Sequence, residues 1–341
     1  MSPRRRSLRS LDLPALRFSL ELLALSVASA LLTVSLASAL FPPTEEFHLS
    51  NPYWNGLEEF SRIAGAKALE ATVDGVVPEK SVIFIVGPSI NCSQTYVEAL
   101  KTFVLDGGTL VLMDESGVAN VLLSSFGLDV YVDGHAMLDA VFYHRSWKMP
   151  KIINVVNSSL TADVEEIALN IPSILRINDS SVKVLASSSS FSFLDLNGDF
   201  EHEDGEPFGP FPVLAEAAYG RGRIIVFSDS SLFLNSFIGL GGNRKLLENL
   251  VSGKAAFIDV SVWSTSLPLS YRKAVLRVYN VFSAPEFKSG LALLTVTVIY
   301  TLIYRRKPSQ GIDEVEELLK RHPDWDKRLL EALREAREKV G

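Results

Sequence analysis

The segment Asp195-Leu196-Asn197-Gly198-Asp199-Phe200-Glu201-His202-Glu203-Asp204-Gly205-Glu206 gathers more chemistry than any other stretch of the chain. Asp195, Asn197, Asp199 and Glu206 stand at positions 1, 3, 5 and 12 of the segment, the spacing at which oxygen side chains ligate calcium in an EF-hand loop. The pattern is incomplete. Phe200 takes position 6, where the tight turn calls for glycine, and a strand-like run before the loop and Pro207 after it replace the two helices. Two readings stand: a calcium site that ties a long loop in place, and a solvated acidic turn built from Asn-Gly and Asp-Gly steps. A site filled by protein oxygens leaves no open position for a substrate, so calcium here would be structural.

A second set of candidates follows the apolar runs 81–86, 109–113 and 223–227: Ser89, Asn91, Asp114, Glu115, Ser116, Asp229, Ser230 and Asn235. In an open α/β sheet the carboxyl ends of parallel strands are where ligands bind. Short polar side chains at such turns also cap helices, so the set reads either as caps or as a small polar pocket. Nucleophiles are scarce. Cys92, the single cysteine, lacks glycine framing, and no His-Asp or His-Glu pair follows it to supply a base. Ser116 lies beside Asp114 and Glu115, whose charges oppose a developing oxyanion. No catalytic residue is assigned.

The elements that must position these residues alternate in type. A helix is expected around 56–64 and a strand at 66–73. The fully apolar 81–86 run (SVIFIV) is a buried strand, and Tyr96, Val97, Leu100, Phe103 and Val104 recur at helical spacing until Gly107-Gly108. Residues 109–113 (TLVLM) are a second strand and 118–126 a second helix. Weaker β runs at 140–144 and 151–156 suggest an insertion. A strand at 182–188, a hairpin of 213–218 and 223–227, and a helix at 244–250 complete the series. Strand-helix alternation of this kind predicts an open parallel sheet with helices on both faces.

Three stretches carry a resemblance: 82–88 (VIFIVGP), Phe103-Val104 with Gly107-Gly108 and 109–112, and 223–233 (RIIVFSDSSLF) with Asn235. They resemble the membrane-anchored family called domain of unknown function 4350, over about residues 50 to 253. The resemblance implies a flavodoxin-like, class I glutamine amidotransferase-like α/β fold. It also implies partners of the MoxR-type ATPase, von Willebrand A-like or ABC-transporter kind, and no activity. The amidotransferase cysteine is lacking, because the turn after 109–113 reads Asp114-Glu115-Ser116-Gly117.

Placement is read from the flanks. An uncharged run, 22–41, is preceded by Arg4, Arg5, Arg6, Arg9 and Arg17, and a shorter one, 289–304, is followed by Arg305, Arg306 and Lys307. With about 20 apolar residues needed to span ~30 Å, and basic residues favouring the cytoplasm, two transmembrane helices with both termini inside are expected. The expected division is 1–17 cytoplasmic, 18–41 membrane, 44–286 external, 287–304 membrane and 305–341 a cytoplasmic tail. The net charge of −7 hides a middle portion of about −11, with 18 basic and 29 acidic side chains between two slightly basic ends, which excludes nucleic acid as a partner and leaves cations, basic proteins and the membrane. In the tail, Asp313 is a helix cap and Ile312, Val315, Leu318 and Leu319 form one apolar stripe. Trp325, Leu329, Leu333 and Ala336 form another, which favours a protein partner. The expected role is a non-enzymatic binding or assembly protein of an envelope complex. An auxiliary transporter subunit and a hydrolase are the alternatives.

Overall fold

Alternate residues of three apolar runs face opposite ways, and this period of two decides the architecture. The computed structural model describes residues 13–90, 92–264, 267–304 and 314–339. In chain order the elements begin with α1 (Leu13–Leu40), α2 (Glu58–Ala64), β1 (Lys67–Leu69), β2 (Ser81–Val86), α3 (Gln94–Leu105), β3 (Thr109–Met113) and α4 (Asn120–Ser125). An insertion follows, with β4 (Val130–Val132), β5 (Ala136–Asp139), β6 (Lys151–Ile152), β7 (Asn154–Val155), β8 (Ile167–Ala168) and β9 (Leu175–Ile177). The chain then runs through β10 (Lys183–Ser187), β11 (Ser192–Asp195), β12 (Pro212–Tyr219), β13 (Gly222–Phe227), α5 (Asn243–Val251), β14 (Ala255–Asp259) and α6 (Leu267–Ser283). It closes with α7 (Pro285–Tyr304), α8 (Glu314–Arg321) and α9 (Lys327–Glu338).

The main sheet has eight strands in the order β1-β14-β2-β3-β13-β12-β10-β7. Phe84, Val111, Ile225 and Phe227 point to one face and pack with Phe60 of α2 and with Leu246, Leu247 and Leu250 of α5. Ile83, Ile85, Leu110, Leu112 and Ile224 point to the other, under α3 and α4. Burial on both faces explains why these strands read as unbroken apolar runs.

The sheet is mixed, which corrects the expected parallel one. Strands β1, β14, β2, β3 and β13 are parallel. Strands β12, β10 and β7 continue the sheet in antiparallel pairing. Only Gly220 and Arg221 separate β12 from β13, and a two-residue connection can join strands only antiparallel. The backbone of that hairpin passes very close to the end of α3 and the turn after it: a Cβ on Gly222 would lie 2.3 Å from the carbonyl oxygen of Val104 and 2.2 Å from that of Gly108, so no other residue fits there.

The two transmembrane helices are also corrected. Among the described residues no helix is long and apolar enough to cross a membrane. In α1, which runs from Leu13 to Leu40, the charge of Glu21 lies inside the helix and interrupts its apolar run. In α7 the charges of Glu286 and Lys288 sit within the first turn and shorten the uncharged stretch further. Both helices nevertheless expose their apolar side chains, Leu25 by 68% and Leu293 by 73%.

The chain divides into two units, 1–273 and 274–341. In the second, α8 packs on α9 and buries Val315, while the His322 ring stacks on Trp325 at 4.4 Å. Asp326 caps α9 by accepting the N–H of Arg328 at 2.9 Å. Ile312 and the expected cap Asp313 lie outside the described residues.

Candidate functional site

Strands β3 and β13 are adjacent and parallel, but their onward connections part. The chain leaves β3 toward α4 on one face of the sheet and leaves β13 toward α5 on the other. Such a divergence opens a crevice at the carboxyl ends of the two strands, the usual ligand position in open α/β sheets. Asp114, Glu115 and Ser116 follow β3, and Asp229 and Ser230 follow β13, so five of the eight strand-end candidates converge here.

Their side chains are committed to the fold. Asp114 Oδ1 accepts the N–H of Ser116 at 2.8 Å and its hydroxyl at 2.6 Å, and Oδ2 accepts the N–H of Ala119 at 2.7 Å. Asp114 thereby stabilises the turn that leads into α4. Glu115 Oε2 accepts the N–H of Ser230 at 2.9 Å, clasping one strand end to the other. Asp229 is fully buried. Its Oδ1 accepts the N–H of Ser231 at 2.7 Å and its Oδ2 that of Asn170 at 2.6 Å. Of the described candidates, Ser230 alone has a side-chain atom buried without a hydrogen-bond partner.

Asn170 belongs to the insertion, which makes a second contact with the end of β13 and is braced by bonds of its own. The N–H of Ser173 donates to the carbonyl of Ser228 at 2.8 Å, and the hydroxyl of Ser173 accepts the N–H of Gly134 at 2.8 Å. The Met137 N–H donates to the Pro172 carbonyl at 2.7 Å. The chain therefore occupies its own ligand position.

Electrostatics follow from the burial. Desolvation, and then the nearby Glu115 carboxylate, push Asp229 up to about 7, against the pull of the N–H groups of Asn170 and Ser231. Glu46 is raised by desolvation and then by Glu115.

The remaining candidates lie elsewhere. Ser89 staples the end of β2 to the chain after β14: its hydroxyl donates to the Val262 carbonyl at 3.2 Å and accepts the N–H of Ser264 at 2.7 Å. Asn235 caps α2 from across the fold, accepting the Glu59 N–H at 2.9 Å. It also donates to the carbonyls of Asn51 at 2.8 Å and Tyr53 at 2.6 Å. Asn91 lies outside the described residues. The Cys92 thiol is pushed up to about 11 by burial and then by Asp259, which removes the thiolate needed for attack. The space beside it, lined by Ile85, Ile90, Val97 and Leu122, is about 20 Å³, room for one water and for no substrate.

The acidic loop does not assemble its four calcium candidates around a point. Asp195 and Glu206 are buried and turned to backbone. Asp195 accepts the N–H groups of Gly198 at 2.7 Å and Phe200 at 2.9 Å, and Glu206 accepts those of Leu196 at 2.7 Å and Glu203 at 3.1 Å. Asn197 and Asp199 are exposed and bond to each other at 3.0 Å. Among the described residues no group of three or more His, Cys, Asp or Glu side chains is placed to hold a metal ion. Phe200 adopts φ +64°, the conformation that a glycine would take without strain.

Two features escaped sequence reasoning. Asn170 carried no signal, since an asparagine in an irregular stretch marks nothing by itself. The exposed aromatics Trp147, Phe191 and Phe208 were legible only as large rings set among polar loop residues.

The fold and site define a mixed α/β domain whose strand-end crevice is closed by its own insertion. Residues 50–251 match the family described as Domain of unknown function (DUF4350), and the chain belongs to that family. No curated protein matches it. Among solved structures it is similar to the N-terminal domain of mmIFT52, at 18% identity and a TM-score of 0.42, covering 54% of this chain and 82% of that one. It is also similar to a cytoplasmic protein of Salmonella typhimurium, STM3548, at 14% identity and a TM-score of 0.33 over 57% and 78% of the two chains. A third likeness is to a β-galactosidase from Bacillus circulans, at 14% identity and a TM-score of 0.30 over 51% and 23%. Likenesses this distant carry no functional argument.

Proposed function

We propose that this protein is a binding and assembly component that works at a membrane surface, and that its α/β domain performs no catalysis. The occupied crevice carries the reading: Asn170 sits on Asp229 where a substrate would have to lie. A thiol raised to about 11 and a serine hydroxyl donated to Asp114 offer no activated nucleophile. The exposed apolar side chains of α1 and α7 favour an apolar neighbour. In the tail, Leu329 and Leu333 remain 64% and 59% exposed on a helix pair able to couple the protein to an assembly.

The test replaces Cys92 and Ser116 with alanine in the full chain and maps partners in the source cells by cross-linking. A binding module retains its partners and its cellular effect. Loss of the cellular effect with the partners retained would instead establish the hydrolase reading.

A further inference from the structure

We infer that a surface formed by the Trp147 turn of the insertion and by the chain around β11, bearing Trp147, Phe191 and Phe208 beside the carboxylates of Glu201, Glu203 and Asp204, docks a basic protein segment rich in arginine or lysine. The inference rests on the non-enzymatic reading above and names the surface and the partner chemistry.

Neighbouring elements build this surface. Strands β5 and β11 pair as a ribbon, and Phe208 extends it by bridging to Phe193. On the opposite edge the Asp139 N–H donates to the Trp147 carbonyl at 3.1 Å. The Phe142 and Phe191 rings lie 6.3 Å apart, and His202 stacks on Phe208 at 4.4 Å. Lys148 then joins the Trp147 turn to the acidic loop, its Nζ 3.5 Å from the centre of the Phe200 ring.

Exposure and charge select the occupant. Trp147, Phe191 and Phe208 are 48%, 54% and 58% exposed, a concentration of aromatic area that marks interaction surfaces. Glu201, Glu203 and Asp204 are exposed and form no ion pair among the described residues. Against these three carboxylates the surface carries exposed Arg145 and half-buried Lys148, so its balance is acidic. Anionic lipid and nucleic acid are repelled by such a rim. Arginine and lysine satisfy both halves of the face, pairing with carboxylates and lying flat on aromatic rings. Lys148 on Phe200 already shows the second contact within the chain. The loop is also held rigid through Asp195 and Glu206, so its outward charges are set before a partner arrives.

The experiment is fluorescence anisotropy of fluorescein-labelled nona-arginine against the full chain. The triple change Glu201→Gln, Glu203→Gln, Asp204→Asn is expected to weaken binding at least tenfold. Trp147→Ser with Phe191→Ser, which leaves the charge unaltered, should also weaken it at least fivefold. Neutralising three exposed acids elsewhere (Glu58→Gln, Glu70→Gln, Asp74→Asn) should change it less than twofold. Equal weakening by both triple changes, or no effect of the aromatic pair in a variant that melts like the parent, overturns the inference. Because neither Cys92 nor Ser116 is touched, such a failure is distinct from failure of the non-enzymatic reading.

Discussion

The carboxylate of Asp229, buried at the end of β13, accepts the backbone N–H of Asn170 at 2.6 Å. That contact places the insertion on the position where open α/β sheets bind ligands. It also ties a titrating group to the closure.

Asp229 holds its proton up to about 7 in the folded protein, against about 3.9 in an unfolded chain. An acid with a raised folded value contributes stability that is fully present below the unfolded value and lost as pH rises through the folded one. Stability should therefore fall between about pH 4 and 7, by about 4 kcal/mol from this group alone. Denaturant unfolding across that range measures it. Asp229→Asn should flatten the profile whatever it does to absolute stability.

Asn243 is a buried hub. It accepts the Ala168 N–H at 2.9 Å and donates to the carbonyls of Ala168, Leu232 and Phe237 at 2.9, 3.1 and 3.0 Å. Asn243→Ala strands these buried groups and is expected to cost about 3 kcal/mol or more in urea unfolding. Asn243→Asp should fare no better, because its charge would face three carbonyl oxygens.

Phe200 separates strain from contact. Phe200→Ala loses the Lys148 contact and keeps a positive φ, at a cost of about 1 kcal/mol. Phe200→Gly loses the same contact but releases about 1 kcal/mol of left-handed strain, so it should match the parent protein. Thermal melts of the two variants give the comparison.

In the acidic loop the buried carboxylates Asp195 and Glu206 already accept backbone N–H groups. Millimolar calcium or excess chelator should leave the melting temperature within about 1 °C, whereas bound calcium at 100 times its dissociation constant would add about 2.7 kcal/mol. Asp195→Ala should destabilise the protein with or without calcium.

Much of the central fold was legible because its signals are local. The 81–86 and 109–113 runs are buried on both faces and contain no competing polar residue, and Gly107-Gly108 stops α3 where expected. What escaped depends on distant partners. Strand β14 enters the sheet between β1 and β2, a placement that no local pattern encodes. The calcium spacing of 195–206 matched in sequence, but spacing does not determine which way a carboxylate turns, and here Asp195 and Glu206 turn inward. The antiparallel half of the sheet followed from the Gly220-Arg221 turn, yet its weight was hidden by the parallel signal of the other half.

Hydrogen exchange at the Asn170 amide of the full chain tests the closed crevice most directly. Anchored on a buried carboxylate, that amide should exchange only through global unfolding, as slowly as the amides of β3. Exchange at the rate of an exposed loop would mean that the crevice stands open to ligands, contradicting a domain that fills its own binding position.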